Sequence, residues 1–399
     1  MTTLTWPSLA LNPLAALGLL LAAGVLGARL LSRATDLPAL TGYVLTGLII
    51  GPAGLRLLNA DLLLQAELFV QLALGLALFD TGRRIDLHWL RREGTLLIST
   101  VLYATLVFAG LYTALQWAGL DWSVSAMMAA LGMATSPIVI LELLRETRAE
   151  GQLTERLTAI TGLTALMSYT VFALAIGSAR VAGHQSTEDS LLSPAWLVLA
   201  ALALGVAAGL ATIPLRRWLG AREREQQQVL LFGLIALVVG AAAMIGTLPS
   251  LAMLVFGLAT RNLQGGLTLT EPGLSSRSQF FFVAFFVAAG AQLMPRSLTD
   301  NWLPALLFLG LRSGLGLLFW CVAASANGLA RARGLWLGLA LNPLSGGAAM
   351  LMSLGILSVG SHGSRFAGTM MAVFVISEIV GPILTRLALD KAGESQKEA

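Results

Sequence analysis

The chain is poor in charge, histidine and cysteine, and each shortage removes a class of function. Only 12% of its 399 residues are charged, against about 25% in a water-soluble domain. The single cysteine, Cys321, lies inside an apolar run, which excludes an intrachain disulfide and leaves a small core residue. His88, His184 and His362 stand in predicted loops or at helix ends with no second ligand at metal spacing, so no metal site is implied. No glycine pattern forms a phosphate-binding loop and no catalytic triad can be assembled, so neither a cofactor nor an enzyme is expected. The first residues, MTTLTWPSLALNP, lack the basic region of a secretory signal, and the first apolar run is expected to persist as a helix.

What is present is apolar length. Hydrophobic residues make up 56% of the chain and the mean hydropathy is +0.80. Apolar runs recur with the roughly 20 residues needed to cross about 30 Å of hydrocarbon as a helix. The expectation is an all-α polytopic membrane protein with thirteen spans: 13–33, 37–55, 64–82, 94–117, 123–144, 156–179, 193–215, 228–246, 248–262, 277–294, 302–326, 334–357 and 366–389. They form a single transmembrane domain over residues 1–390, followed by a short polar cytoplasmic tail at 391–399.

Thirteen spans put the termini on opposite sides, and the positive-inside rule tests the count. With the C-terminus cytoplasmic and the N-terminus outside, inside segments hold 20 of the 25 Lys and Arg residues. Outside loops hold only Arg56, Arg180, Arg296 and Arg365, and Arg312 falls within a span. The pI near 9.7 is therefore topology in a cell inner (plasma) membrane with lipid as partner, not a nucleic-acid surface.

Weak internal matches suggest two inverted halves, roughly 37–180 and 248–389, of the kind that enclose a site near the membrane midplane. Leu37-Pro38 recurs as Leu248-Pro249 at an offset of 211, the segment around Gly82 as that around Gly290 at 208, and Pro137 as Pro343 at 206. Two discontinuous helices then cross at the centre, broken at Thr135-Ser136-Pro137 and at Asn342-Pro343-Leu344-Ser345-Gly346-Gly347. Broken backbone at that depth must be buried in protein or line a cavity; the plainer alternative is that these prolines only kink packed helices.

Several motifs together resemble the monovalent cation:proton antiporter superfamily, in its Kef-like branch of sodium–hydrogen exchanger membrane domains. They are GYVLTGLIIGP from Gly42, LFDTGRRIDLHWLRR from Leu78, MATSPIVILELLRETRAEGQLT from Met133, FFVAFFVAAG from Phe281, and SEIVGPILTRLAL from Ser377 with the trailing Ala392-Gly393-Glu394. The likeness covers nearly the whole chain. It implies a homodimer with a dimerising scaffold and a core that moves as an elevator, a basic residue matched by Arg312, and adjacent aspartates on the helix after the first break. Here those aspartate positions hold Thr164 and Ala165. A buried carboxyl can be contested by proton and cation; a threonine hydroxyl does not titrate.

The candidate substrate ligands are thus Thr135, Ser136, Pro137, Thr164, Ser168 and Ser345, because broken-helix backbone and hydroxyls together offer oxygens and amide donors. The hydroxyls of Thr158, Thr161, Thr164 and Ser168 share one helix face, where support of close packing is the alternative role. The candidates for charge and proton coupling are Asp80, Arg312 and Glu378. Asp80 has the alternative of an ion pair with Arg83 and Arg84, Glu378 of a polar cavity wall, and Arg312 of neutralising the carbonyl ends of the crossing helices. Glu142 is expected to be solvated beside Arg145 and Arg148. The function expected is exchange of Na+ or K+ for H+ by an elevator mechanism. One alternative is an anion or small carboxylate held by Arg312; a second is a transport-inactive sensor or assembly partner.

Overall fold

The computed structural model describes residues 12–35, 37–182, 189–219, 224–263, 279–293, 295–344 and 363–396. Each predicted span meets a helix there: α1 (Pro13–Thr35), α2 (Ala39–Ile50), α3 (Ala60–Arg84), α5 (Gly94–Trp117), α6 (Trp122–Met133) with α7 (Pro137–Thr147), α8 (Gln152–Ala182), α9 (Asp189–Leu219), α10 (Arg224–Met244), α11 (Pro249–Leu263), α12 (Gln279–Gln292), α13 (Pro295–Ala323), α14 (Arg331–Ala340) and α15 (Gly363–Ala392). A short α4 (Leu87–Arg92) links α3 to α5. Only the first part of the twelfth span is described, and Ser345, Gly346 and Gly347 lie outside the described residues, as do His184 and His362. Eight of the described segments are long and apolar enough to cross a bilayer, and α2 and α12 are shorter apolar helices. The protein is a multi-pass integral membrane protein.

Two bundles form. Helices α1–α3 pack with α9–α12, while α5–α8 pack with α13–α15, and α8 and α9 join the two. Without a hydrophobic drive in lipid, helices associate by close backbone approach at small residues, and the first bundle shows this twice. A Cβ at Gly47 on α2 would lie 2.0 Å from the Val287 carbonyl oxygen on α12, and one at Gly290 would lie 2.0 Å from that of Val44. A Cβ at Gly82 on α3 would lie 2.1 Å from the Leu254 carbonyl oxygen on α11, and one at Gly257 would lie 2.1 Å from that of Phe79. Gly47 and Gly257 are 210 residues apart, and Gly82 and Gly290 are 208 apart. The second of these spacings equals the 208 noted in the sequence between the segments around Gly82 and Gly290.

The break between α6 and α7 has a local cause. Proline disfavours helical backbone at the residue before it and is well placed at the first helical position. Accordingly Ala134 and Ser136 are extended (ψ 140° and 109°) and Pro137 begins α7. The span Trp122–Thr147 is 89% buried, against 22% for α1 and 28% for α10. The broken helix therefore runs through protein, whereas α1 and α10 lie at the periphery.

The first residues of the short polar tail are docked on the bundle. Helix α15 continues to Ala392, and the Glu394 carboxylate accepts hydrogen bonds from the Leu153 and Thr154 backbone amides, both at 2.8 Å. The Glu150 amide donates to the Glu394 carbonyl, and the Gln396 amide to that of Thr147. The first turn of α8 has backbone N–H groups without intrahelical partners and a positive dipole end. Glu394 satisfies two of them from a point 240 residues further along the chain.

Candidate functional site

Where the break between α6 and α7 meets the residues that follow α14, the two segments bind each other. The Thr135 hydroxyl donates to the Leu341 carbonyl at 3.0 Å, and the Ser136 amide donates to the Pro343 carbonyl at 2.8 Å. Ser136 also caps α7, its Oγ accepting from the Val139 amide at 3.4 Å. The Leu344 amide donates to Ser377 Oγ on α15 at 2.7 Å, and the Thr385 hydroxyl to the Ala340 carbonyl at 2.9 Å. The Ser313 hydroxyl on α13 donates to Asn342 Oδ1. Thr135 and Ser136 are fully buried, and Asn342 is nearly so.

Arg312 sits in the middle of this arrangement, 1% exposed. Its Nε donates to the Gly132 carbonyl at 2.7 Å and its Nη2 to Ala134 at 2.8 Å, both at the end of α6. Its Nη1 donates to the Asn342 carbonyl at 2.7 Å and Nη2 also to Leu341 at 3.0 Å, both at the end of α14. Both helix ends carry partial negative charge, and one planar guanidinium spans the two. Four of the five N–H bonds a guanidinium owns are engaged with carbonyls. Arg312 thus sits against the carbonyl ends of both segments, the arrangement that sequence offered as its alternative.

The hydroxyls of α8 lie beside this centre. Thr164 is fully buried and its Oγ1 turns back to the Thr161 carbonyl of its own helix at 3.2 Å. Ser168 donates to the Ala130 carbonyl on α6 at 2.7 Å. Thr161 Oγ1 is buried without a partner. Thr135, Thr164 and Ser168 each donate their proton to a carbonyl, which leaves lone pairs on the hydroxyl oxygens for a cation.

Glu378 lies halfway along α15, 4% exposed, with its Oε2 buried and without a hydrogen-bond partner. Asp80 is elsewhere. It accepts from Arg83 at 2.6 Å and from Arg84 at 3.2 Å, the ion pair given above as its alternative. It lines a cavity of about 550 Å³ where α3 and α7 end and α8 begins, together with Asp86, Glu142, Glu155 and Thr158. Three of these four carboxylates are paired, Asp80 with Arg83 and Arg84, Glu142 with Arg145, and Asp86 with Arg261 at 3.0 Å. Glu142 is 7% exposed rather than freely solvated, and it is paired with Arg145 at the cavity wall. The Trp89 backbone N–H, and then the Arg261 guanidinium, hold the Asp86 carboxyl below its ordinary value.

The structure therefore gathers Thr135, Ser136, Pro137 and Arg312 at the crossing, with Thr164 and Ser168 alongside, and sets Asp80 apart at the cavity. Asn342, Ser377 and Glu394 were not among the expected site residues. The Asn-Pro step at the second break is a signal for Asn342; a serine beside an intramembrane glutamate is a fainter one for Ser377. Among the described residues no group of three or more His, Cys, Asp or Glu is placed to hold a metal ion.

A family model described as sodium/hydrogen exchanger, transmembrane, matches residues 17–391. Two solved structures of the sodium proton antiporter MjNhaP1 from Methanocaldococcus jannaschii have a similar fold. The one at pH 8 is 17% identical with a TM-score of 0.66, covering 95% of each chain. The other, an electron-microscopy map, is 16% identical with a TM-score of 0.72, covering 96% of this chain and 99% of that one. No curated protein matches the chain.

Proposed function

The chain belongs to the sodium/hydrogen exchanger family, and from that premise we propose that it exchanges a monovalent cation, Na+ or K+, for H+ across the plasma membrane. The observation that carries this reading is the crossing itself. Two helix breaks are hydrogen-bonded to each other, braced by Arg312, and bordered by the hydroxyl oxygens of Thr135, Thr164 and Ser168. Hydroxyl and carbonyl oxygens suit a hard monovalent cation, and a supporting guanidinium fixes the frame without occupying it.

In this reading the N-terminus lies outside, and the cavity lined by Asp80, Glu142 and Thr158 is the cytoplasmic vestibule. Residues 1–390 act as one transmembrane domain. The bundle of α5–α8 with α13–α15 is the part that moves as an elevator, and the bundle of α1–α3 with α9–α12 is the scaffold at which a homodimer forms. Asp80, held by two arginines, shapes the field of the vestibule. The anion alternative rested on a free Arg312, and a guanidinium engaged with four carbonyls no longer favours it. The transport-inactive alternative rests on Thr164 standing where a carboxylate is expected.

Purified protein in liposomes, given an outward Na+ or K+ gradient with an internal pH dye, tests the proposal. Cation-driven proton movement absent from empty liposomes and absent with choline is the expected result. Chloride- or carboxylate-driven flux without cation dependence would sink it in favour of the anion reading, and silence under every gradient in favour of the inactive one.

A further inference from the structure

We propose that the carboxyl of Glu378 on α15 is the group over which proton and cation compete, so that the exchange centre has moved from α8 to the last helix. This rests on the cation–proton reading above and names the residue that reading needs.

Three observations point to Glu378. First, whereas Glu394 is held by two backbone amides, Glu378 is, among the described residues, a buried carboxylate with neither a counter-charge nor a hydrogen bond. Its Oε2 has no partner, and the described residues place no cation in an ion pair with it. Arg312, the intramembrane cation, is already engaged at four carbonyls. Second, the position where an acid is expected on α8 is filled by Thr164, whose hydroxyl faces its own helix, and Asp80 is neutralised by two arginines. Third, Glu378 shares a helix face with residues that touch the second break. At 100° per residue, Glu378, Gly381 and Thr385 fall within about 60° of one another. A Cβ at Gly381 would lie 2.9 Å from Pro343 Cα, and Thr385 bonds the Ala340 carbonyl. The preceding residue, Ser377, holds the Leu344 amide.

The charged surroundings do not supply a partner either. Of the helices packed on α15, α6 carries no ionisable side chain and α2 only Tyr43. Helix α7 brings Glu142 and Arg145, bonded to each other, and Glu146, which lies 3.9 Å from Arg386. Helix α13 brings Arg312 mid-helix, with Arg296 and Asp300 in its first turns; α8 brings the buried phenol of Tyr169, while its Glu155, Arg156 and Arg180 and the arginines of α14 lie toward helix ends.

An ionised carboxylate buried without a partner is costly in a protein interior and more so in a membrane. Glu378 therefore holds either a proton or a cation: Glu–COOH + M+ ⇌ Glu–COO−·M+ + H+. Charge and protons balance with no further reactant. The equilibrium is an exchange reaction at one carboxyl, and the hydroxyl-lined crossing next to it supplies neutral oxygen ligands.

Full-length wild type, Glu378→Gln and Glu378→Asp are compared in two assays: cation-driven proton flux in liposomes, and proton release when Na+ or K+ is added to the protein in weakly buffered detergent. Wild type is expected to release about one proton per cation bound. Glu378→Gln should bind without release and lose exchange to the level of empty liposomes. Glu378→Asp should exchange with an altered apparent cation affinity and a displaced pH profile. If Glu378→Gln does not fold, the aspartate variant decides, and a pH profile and affinity matching wild type overturn the proposal. Exchange retained in Glu378→Gln overturns it while leaving cation–proton exchange standing; a wild type without cation-driven proton flux removes the underlying reading and the proposal with it.

Discussion

Removing the Arg312 guanidinium should unlock the crossing, and the size of the effect follows from its bonds. Four charge-assisted hydrogen bonds at 2.7, 2.7, 2.8 and 3.0 Å connect the end of α6 to the end of α14. At about 0.6–1.7 kcal/mol for a hydrogen bond between membrane helices, four amount to about 2–7 kcal/mol. Relief of burying the charge works the other way, at about 2.5–3.5 kcal/mol on insertion scales. The carbonyls decide the sign. Leu341 keeps the Thr135 hydroxyl, but the Gly132, Ala134 and Asn342 oxygens lose the donor Arg312 gave them at a buried site, where each unsatisfied group costs several kcal/mol. Net destabilisation is the expected outcome for Arg312→Ala, with the unfolding midpoint in detergent lower by on the order of 5 °C or more and transport lost. Arg312→Lys keeps the charge but has a single ammonium point that cannot bridge both helix ends, so it should fall between. A midpoint for Arg312→Ala within about 2 °C of wild type would falsify the bracing role. A stabilised variant would mean that the charge had been an uncompensated burden.

Three further changes probe other parts of the frame. Gly47→Ala places a methyl 2.0 Å from the Val287 carbonyl oxygen, and overpacking of this kind costs about 1–3 kcal/mol; a lower unfolding midpoint is expected, and an unchanged one would contradict the close approach of α2 and α12. Glu394→Ala removes the carboxylate from the α8 amino end and should cost about 1 kcal/mol, as loss of an N-cap does. Gly151→Ala, at φ 153° with its Cβ 2.3 Å from Glu394 Cδ, should do at least as much harm, and a harmless Gly151→Ala would argue against the docked tail. Asp86 caps α4 by accepting from the His88 and Trp89 amides. Its carboxyl lies below its ordinary value, so its contribution is complete above the unfolded-state pKa near 3.9 and fades as pH falls through the lower folded value. Asp86→Ala should therefore cost about 1 kcal/mol at neutral pH, with the gap to wild type narrowing in strongly acidic melts; a gap independent of pH would show that the charge contributes nothing.

Much of the fold was legible because it is written locally. Hydrophobic length sets the spans, alternation of arginine fixes their count, and a proline ends a helix at its predecessor wherever it falls in the chain. Hence the apolar helices and the break at Ser136-Pro137 could be read directly, and the reciprocal glycine approaches stand 210 and 208 residues apart. The site was legible only in part. Sequence nominated Arg312 but left its role open between ligand, counter-charge and brace, because its partners lie 29 to 180 residues away. It likewise offered both Asp80, the stronger candidate there, and Glu378 as coupling acids. The path of the chain separates them: α3 brings Arg83 and Arg84 onto the same carboxylate, while α15 carries Glu378 into the interior with no cation opposite.

The docked C-terminus marks the same boundary. A glutamate after Ala392-Gly393 reads as tail polarity, and only the return of α15 beside α8 puts it on two unpaired amides more than 200 residues earlier in sequence. The sequence by itself determined that this is a multi-pass membrane protein with a proline-broken helix and no acid on α8 after Glu155. The tertiary structure decided which polar groups are satisfied and which are not. Hydrophobicity and backbone restriction act residue by residue, whereas a buried charge is defined by the partner that packing brings, or fails to bring, within reach.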